Sequence, residues 1–278
     1  MKKTLHILLS LILIVTTFSF SPVAFAACPN TYSTTINASE TDYLNRNDTA
    51  TLAPAASMTI EFWAKLTAYR SAGLPSFIVG KDVLGSREYA LGMVTRAGGA
   101  SAQTYAQIAG EDNGGGTAVL YTDTWYHVAF VWETTGNTLK YYLNGTLDRD
   151  TTYTNDPPNT ATALAIGRRL YGGVGNSENQ PFTGLVDDVR IWNVARTADE
   201  INTWKNYEID SATGLVASWH LNNSTTDDSG NSNTLTDVGN TYTTDTPFTT
   251  CSFPESPIYN VFIIKDDVTF EGDVVIQR

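Results

Sequence analysis

Hydrophobic and polar residues alternate along several short stretches of the chain, which is the pattern of strands in a half-buried sheet. In residues 58–66 the even-numbered positions are apolar and share one face, whereas Glu61, Trp63 and Lys65 share the other. Residues 125–132 are apolar on both faces, so we expect this strand to be covered on both sides. Other predicted strands span residues 76–80, 89–94, 138–144, 164–166, 184–192 and 214–221.

Turn and cap signals separate these stretches. Gly136-Asn137 predicts a hairpin turn, and Asn144-Gly145 predicts a tight turn of type I′. Thr197 and Glu200 have the spacing of a capping box, which predicts a short helix extending through Trp204. Many short strands with one short helix indicate an all-β sandwich or jelly roll rather than a βα fold.

The first 26 residues have the layout of a secretory signal peptide. Two lysines precede an apolar run over residues 5–20, and Ala24 and Ala26 have the spacing that a signal peptidase recognises. A membrane anchor is the alternative, but the run is short for a span of ~20 residues. We therefore predict a signal peptide over residues 1–26 and a protein that is secreted or held at the cell surface. No later stretch is long and apolar enough to cross a bilayer.

Charge and length narrow the class of protein further. The chain of 278 residues carries 17 Lys and Arg against 29 Asp and Glu, a formal net charge of -12. This balance argues against nucleic-acid and anionic-membrane partners, because both are bound by basic surfaces. It suits an acidic secreted protein that could hold a divalent cation.

The two cysteines stand near the ends of the predicted main domain. Cys28 and Cys251 would be exported together into an oxidising compartment, which favours a disulfide between them. The alternative is lipid attachment at Cys28, because residues 25–28 resemble a bacterial lipoprotein processing site. Phe25 is a poor match to that site, and lipidation leaves Cys251 unexplained.

Seven segments carry a family resemblance. They are 58–65 (MTIEFWAK), 125–129 (WYHVA), 139–145 (LKYYLNG), 184–192 (GLVDDVRIW), 195–201 (ARTADEI), 214–219 (GLVASW) and 228–233 (DSGNSN). In this order they resemble the laminin-G-like jelly-roll family, a pentraxin-like branch of the concanavalin A-like lectin and glucanase sandwiches. The resemblance covers roughly residues 37–239 and implies a two-sheet antiparallel jelly-roll sandwich. A fold does not by itself imply an activity.

The resemblance and the cysteines together suggest three parts. The signal peptide of residues 1–26 is followed by one laminin-G-like domain over residues 27–253. A tail over residues 254–278 contains two strand-like segments, 258–264 and 268–276. These two strands either begin a further module or add to an edge of the sandwich.

Catalytic signatures are missing from the sequence. The glucanase relatives carry closely spaced carboxylates on one strand, and no such E-x-D-x-E spacing occurs here. A G-x-S-x-G nucleophile elbow is also absent. His127 and His220 lie within apolar strands, which is typical of core histidines rather than bases. The sequence therefore favours a protein that is not an enzyme.

Asp187 is the most informative carboxylate. Alternation along its strand places it on the same face as Leu185, Val189 and Ile191, which is the predicted core face. A charge there needs hydrogen bonds or a cation, so Asp187 is either bonded to backbone amides or a Ca²⁺ ligand. The oxygen-rich residues 227–233 surround Gly230 and support a cation, although they do not form an EF-hand. The family resemblance suggests that this loop lies near Asp42. The predicted calcium ligands are Asp42, Asp187, Asp228 and Asn231.

Aromatic residues in polar stretches are candidate sugar contacts. Tyr105, Tyr153 and Tyr171 lie in or beside Gly-rich or Asn-rich segments, and exposed rings can stack on sugars. Residues 168–176 combine arginine, tyrosine, glycine and asparagine, although an ordinary flexible loop is an alternative. The predicted ligand-binding residues are Tyr153, Arg168, Tyr171 and Asn176.

The sequence favours a secreted, non-catalytic module that binds carbohydrate or another extracellular polymer, with Ca²⁺ as a candidate cofactor. One alternative is a polysaccharide-degrading enzyme with an unfamiliar site. The other is a protein–protein adhesion module whose C-terminal strands pair with a partner by strand addition.

Overall fold

The computed structural model describes the backbone of residues 24–25 and, in full, residues 30–38, 41–53, 55–172 and 176–248. One α-helix, α1 (Ala198–Trp204), and two 3₁₀ turns, Ala50–Leu52 and Ser177–Asn179, occur in this part. The strands are β1 (Ala24–Phe25), β2 (Ser33–Asn37), β3 (Tyr43–Arg46), β4 (Ser57–Leu66), β5 (Pro75–Val83), β6 (Ser86–Thr95), β7 (Ala102–Ile108), β8 (Glu111–Gly115), β9 (Trp125–Glu133), β10 (Thr138–Leu143), β11 (Thr146–Thr152), β12 (Leu164–Ile166), β13 (Thr183–Trp192), β14 (Ile209–Ser211), β15 (Leu215–Trp219), β16 (Thr236–Val238) and β17 (Thr241–Thr243).

Two large sheets lie face to face. One has eight strands in the order β11-β10-β9-β4-β13-β2-β17, with β15 also paired to β13. The other has seven strands in the order β16-β3-β12-β5-β6-β7-β8, and β1 forms a small separate pair with β14. Strands distant in sequence lie side by side, for example β4 against β9 and β13, and these pairs are antiparallel. The predicted two-sheet antiparallel jelly roll is confirmed.

The main core fills the space between the sheets. The even-numbered residues of β4 belong to it, as the alternation predicted, and Phe62 lies 6.3 Å from Phe130 of β9 between ring centroids. Trp132 meets Tyr89 of the opposite sheet at 5.5 Å. Full burial of each large apolar side chain contributes about 1.5–3 kcal/mol before entropy is counted. The core is therefore what holds the two sheets together.

Helix α1 covers the outer face of the eight-stranded sheet. Its Ile201 packs on Ala129 and Val131 of β9 and on Tyr142 of β10. The other face of β9 lies in the main core, so the prediction that residues 125–132 are covered on both sides is confirmed. The helix begins at the predicted capping box, in which Thr197 Oγ1 accepts from the backbone N–H of Glu200.

The predicted turns also form where the sequence places them. Asn137 and Gly136 connect β9 to β10, and both have positive φ. Asn144 and Gly145 have φ of 50° and 81°, as a type I′ turn requires. A Cβ at Gly145 would also lie 2.7 Å from the Cα of Asn202, so this turn needs glycine for α1 to pack against it.

Several strands were missed because their sequences lack apolar alternation. β8 contains the run Asp112-Asn113-Gly114-Gly115, and β11 is a polar edge strand. Such strands form because neighbouring strands offer unpaired backbone groups, which leaves little trace in the side-chain pattern.

Three predictions lie outside the fully described residues: the signal peptide of residues 1–26, the Cys28–Cys251 disulfide and the tail of residues 254–278. Strand β2 nevertheless pairs with β17, with Ser33 opposite Thr243. The segments that lead to the two cysteines therefore start from adjacent strands. No helix among the described residues has the length and apolar character to cross a membrane.

Removal of the cap of α1 tests how much the helix contributes to stability. We expect Thr197→Ala to lower the free energy of unfolding by about 1 kcal/mol, because the Glu200 amide loses its acceptor. Urea denaturation measures this change. Thr197→Ser keeps the hydroxyl and should remain close to the wild type. Equal losses in both variants would contradict a capping role.

Candidate functional site

A groove lies on the outer face of the seven-stranded sheet. In β7, Ala102, Ala106 and Ile108 face the main core, so the alternate residues Tyr105 and Gln107 face away from it. On this outer face Tyr105 joins a small apolar cluster with Phe77, Ala90 and Val94. The rings of Tyr105 and Phe77 lie 6.0 Å apart. These side chains form an aromatic floor.

A cavity of about 500 Å³ opens over one end of this floor. Its size lies within the ~300–1,000 Å³ range of small-molecule sites. Burial raises the pKa of Tyr105 to about 12, so its phenol is neutral at physiological pH and can both donate and accept. Gln107 Nε2 donates to this hydroxyl at 3.1 Å. The polar side chains that line the cavity are Thr95, Arg96, Gln103, Tyr105 and Asp112.

Glycines on β8 give the cavity its wall. A Cβ at Gly115 would lie 2.1 Å from Gln103 Nε2, so only glycine allows the Gln103 amide to lie across this strand. Gln103 Oε1 accepts from Arg96 Nη1 at 2.8 Å, which orients the amide. Asp112 Oδ1 accepts from the backbone N–H of Gly114 at 2.8 Å. Both polar side chains are therefore held in place before any ligand binds.

The other end of the groove is fixed by Arg169. This arginine is buried, and its Nη1 donates to Gln107 Oε1 at 3.0 Å and to Asp82 Oδ2 at 3.2 Å. Its guanidinium also lies over the rings of Phe77 and Tyr171, at 5.0 and 4.5 Å. Burial raises the pKa of Asp82, and Arg169 opposes that rise. This end is thus a structural network of charged and aromatic side chains that supports the open end.

The outer face of the eight-stranded sheet carries a closed layer of charges. Glu61 is fully buried there, and its Oε1 accepts from Arg196 Nη1 at 2.7 Å and from Trp192 Nε1 at 2.8 Å. His127 Nε2 lies 3.5 Å from Glu61 Oε2. Burial alone would raise the pKa of Glu61, but the Arg190 and Arg196 charges outweigh it and hold the pKa well below normal. Burial lowers the pKa of His127. Both predicted core histidines, His127 and His220, are buried.

A β-bulge overturns the predicted orientation of Asp187. Val186 pairs with Ala64 and Asp187 pairs with Trp63, which places Asp187 on the outer face. The register then shifts at Asp188, where φ is 44°. The extra residue reverses the alternation, so that Val189 returns to the core. The prediction that Asp187 shares the core face was wrong, because alternation assumes a regular strand.

Asp187 lies in a cluster of buried acids. Its Oδ2 accepts from Asn30 Nδ2 at 2.7 Å, and its Oδ1 accepts from the Asp188 amide at 2.9 Å. Burial raises the pKa of Asp187 well above normal and that of Asp188 to about 8. Burial also raises the pKa of Glu208 to about 7. Asn30 Oδ1 and Asp188 Oδ1 have no hydrogen-bond donor among the described residues, and Asp188 Oδ2 has Arg190 Nη2 at 3.0 Å as its ion-pair partner.

The four predicted calcium ligands do not form one group. Among the described residues, no three His, Cys, Asp or Glu side chains are placed to hold a metal ion. Asp228 Oδ2 lies 3.4 Å from His220 Nδ1, and Asn231 Nδ2 donates to two carbonyls of β15. Asp42 precedes β3, whereas Ser232 accepts from Arg46 at the opposite end of β3. The expectation that Asp42 lies beside the loop of residues 227–233 was therefore wrong.

The loop of residues 227–233 has a structural role. Asp227 Oδ1 accepts from the amides of Ser218 and Ser229, and Oδ2 accepts from the amide of Asn233. Asn233 in turn donates to the Val216 carbonyl at 3.0 Å. The loop is an Asx-type turn tied to β15, which is the simpler of the two roles that its sequence allows.

The predicted ligand-binding residues lie apart from the cavity. Tyr153 is buried in the main core, and its hydroxyl donates to Asp156 at 3.2 Å, so it cannot offer an exposed ring. The Arg168 guanidinium is buried over the ring of Tyr43 at 5.1 Å. Tyr171 is half-buried with two guanidinium groups over its ring. The Asn176 side chain caps the 3₁₀ turn Ser177–Asn179 by accepting from the backbone N–H of Glu178. Of these, Tyr171 contacts the groove network through the Arg169 guanidinium, and Arg168 Nε donates to the Arg169 carbonyl at 3.3 Å.

Sequence reasoning missed the residues that do line the cavity. Tyr105 was expected on an exposed loop but lies on β7 as part of the floor. Arg96 and Gln103 match no known sequence motif. They come together only because β6 and β7 form a hairpin. Alternation along residues 102–108 was the signal that could have placed Gln103 and Tyr105 on one face.

Comparison with known proteins identifies the family. A family model described as the concanavalin A-like lectin/glucanases superfamily, of the laminin-G type, matches residues 38–202. The match covers more than half of the chain, and the chain therefore belongs to this family. It has a lectin-like fold. Comparison with curated proteins gives no match.

Solved structures agree on the fold. The heptameric SAP-like pentraxin of Limulus polyphemus is 15% identical with a TM-score of 0.61, and the match covers 80% of this chain and 99% of that one. A protein of Bacteroides ovatus, provisionally described as carbohydrate binding, is 21% identical with a TM-score of 0.57 over 77% of this chain. The match spans 60% of the length of the Bacteroides protein.

The buried histidine predicts a pH dependence of stability. His127 has a folded pKa below 6.5, so unfolding takes up a proton as the pH falls below 6.5. Above pH 6.5 the buried neutral imidazole therefore costs no stability. As the pH falls from 6.5 toward the folded pKa, the free energy of unfolding decreases by up to about 1.4 kcal/mol per pH unit. We expect His127→Gln to lack this loss. Urea denaturation of both proteins between pH 5 and pH 8 measures the difference, and parallel pH profiles would contradict the assignment.

Proposed function

We propose that this protein recognises carbohydrate through the cavity on the outer face of the seven-stranded sheet. The observation that carries the proposal is the cavity of about 500 Å³, with Tyr105 in its floor and the polar groups of Arg96, Gln103 and Asp112 at its sides. Saccharides present apolar ring faces together with many hydroxyl groups. A site for them combines an aromatic surface with a few fixed donors and acceptors.

The proposed role is non-catalytic. Glycoside hydrolysis uses two carboxyl groups about 5–9.5 Å apart, one of which acts as the general acid that protonates the leaving group. Asp112 is the one carboxylate among the described residues that line the cavity. Asp82, farther along the same face, is tied to Arg169. Recognition without bond cleavage is therefore the function that this set of groups supports.

Export remains part of the proposal. It rests on the layout of residues 1–26, and a protein that meets glycans outside the cell would need such a signal. The acidic composition agrees with a secreted protein that avoids nucleic acid.

We also propose that Ca²⁺ stabilises the acid cluster around Asp187. Asp187, Asp188 and Asn30 are buried. Asn30 Oδ1 and Asp188 Oδ1 have no hydrogen-bond donor among the described residues, whereas Asp188 Oδ2 forms an ion pair with Arg190 Nη2 at 3.0 Å. These hard oxygens fit a calcium ion, which would add positive charge beside Asp187, a carboxylate with no ion-pair partner among the described residues. Because calcium takes about 6–8 oxygens, backbone carbonyls and water would complete the shell. Asp42 lies elsewhere and has no part in this site.

Truncation of Gln103 tests the groove. We expect Gln103→Ala to weaken saccharide binding about fivefold, which is the effect of one lost hydrogen bond of about 1 kcal/mol. Titration calorimetry with a saccharide identified on a glycan array measures the change. Thr236→Ala, on the exposed opposite edge of the same sheet, is the matched control and should bind like the wild type. Saccharide affinity that is indifferent to Gln103→Ala would place binding outside the groove.

Calcium should raise the melting temperature. At a concentration about 100 times its dissociation constant, we expect a rise of about 5–10 °C over a chelator-treated sample. Asp187→Asn should remove most of this rise, whereas Asp42→Asn should keep it. Differential scanning calorimetry gives the curves. Superimposable curves with calcium and with chelator would show that the acid cluster binds no calcium.

A further inference from the structure

Arg96 is a charged residue at the cavity with no acidic partner. Its Nη1 donates to two neutral acceptors, Gln103 Oε1 at 2.8 Å and the Thr117 carbonyl at 3.3 Å. Within the described part of the chain it forms no ion pair, in contrast to Arg169 at the other end of the groove. The chain has 29 acidic residues, so an arginine left unpaired in a cavity is a feature that needs a reason.

The two bonds at Nη1 leave a defined set of donors for a ligand. Nε and Nη2 of Arg96 donate to no described residue, and together they form the planar fork that binds a carboxylate through two parallel hydrogen bonds. Gln103 adds a third donor, because Arg96 occupies its Oε1 and Gly115 gives room to its Nε2. Donors therefore converge at the Arg96 side of the cavity.

The opposite side of the cavity has acceptor character. Asp112 is exposed on β8, with one oxygen bonded to the Gly114 amide, and it would accept from sugar hydroxyls. A second carboxylate placed beside Asp112 would be repelled. The cavity is thus polarised, with one place for an anionic group and another for hydroxyl groups.

Long-range attraction does not drive such binding. The net charge of -12 repels an anion at a distance, although salt screens this field over about 10 Å at 0.1 M. Affinity must come from short-range hydrogen bonds at the guanidinium. These are shorter and stronger than neutral hydrogen bonds.

We propose that the cavity selects acidic saccharides, with a uronate carboxylate on the free edge of Arg96 and sugar hydroxyls at Asp112. This inference rests on the proposed carbohydrate binding and specifies the class of sugar.

The test compares each acidic sugar with its own neutral ester. Galacturonate, glucuronate and mannuronate oligosaccharides and their methyl esters are titrated into the full-length protein by calorimetry, in chelator. We expect at least one acid to bind about tenfold or more tightly than its ester. Arg96→Gln should abolish this preference, so that acid and ester bind about equally, and Arg96→Lys should keep part of it. Arg46→Gln removes the same charge from β3, outside the cavity, and should keep the full preference.

Three results would overturn the inference. Equal affinity for acid and ester would do so while leaving carbohydrate binding in place. Acid binding that appears only with added calcium would assign the carboxylate to a cation rather than to Arg96. Failure of the acids, the esters and a panel of neutral glycans to bind would overturn the proposed function as well. An unchanged melting temperature of Arg96→Gln shows that its loss of preference is not a loss of folding.

Discussion

The buried carboxylate of Glu61 is the constraint on which the arrangement of the molecule depends. A charge without solvent is tolerated only when it is paired and hydrogen bonded, and Glu61 meets this condition through Arg196 and Trp192. These partners come from β13 and from the segment before α1. Their pairing holds α1 over the outer face of the eight-stranded sheet. That face is therefore closed, and the opposite sheet keeps its outer face for the groove.

The groove follows from the same division of faces. Arg169 fixes one end through Asp82 and Gln107, while Gly115 on β8 leaves room at the other end for the side chain of Gln103. Polar groups that are already held in place lose little conformational entropy when a ligand binds, which favours recognition of a hydroxyl-rich molecule. The two faces thus differ in role because one is covered by α1 and buries its charges, whereas the other presents polar groups in an open cavity.

Sequence patterns predicted the fold well where strands are regular. The alternation in residues 58–66, the capping box at Thr197 and the turn at Asn144-Gly145 all describe local structure correctly. They failed at Asp187, because one inserted residue in β13 reverses the alternation that follows. The cavity was not found from sequence, because the predicted ligand-binding residues, Tyr153, Arg168, Tyr171 and Asn176, were chosen as aromatic and polar side chains of exposed loops. Tyr105 and Tyr153 are instead buried, each through contacts with distant strands.

The sequence by itself determined the regular strands that indicate a sandwich, the short helix and its cap, and the absence of glucanase carboxylate spacing, because each of these patterns involves residues that are close along the chain. Only the tertiary structure decided which face of each sheet is open and which side chains meet in the cavity. It also decided that Asp42 stands apart from the loop of residues 227–233. These features depend on strand order and on one bulge, which bring together residues that no local spacing connects.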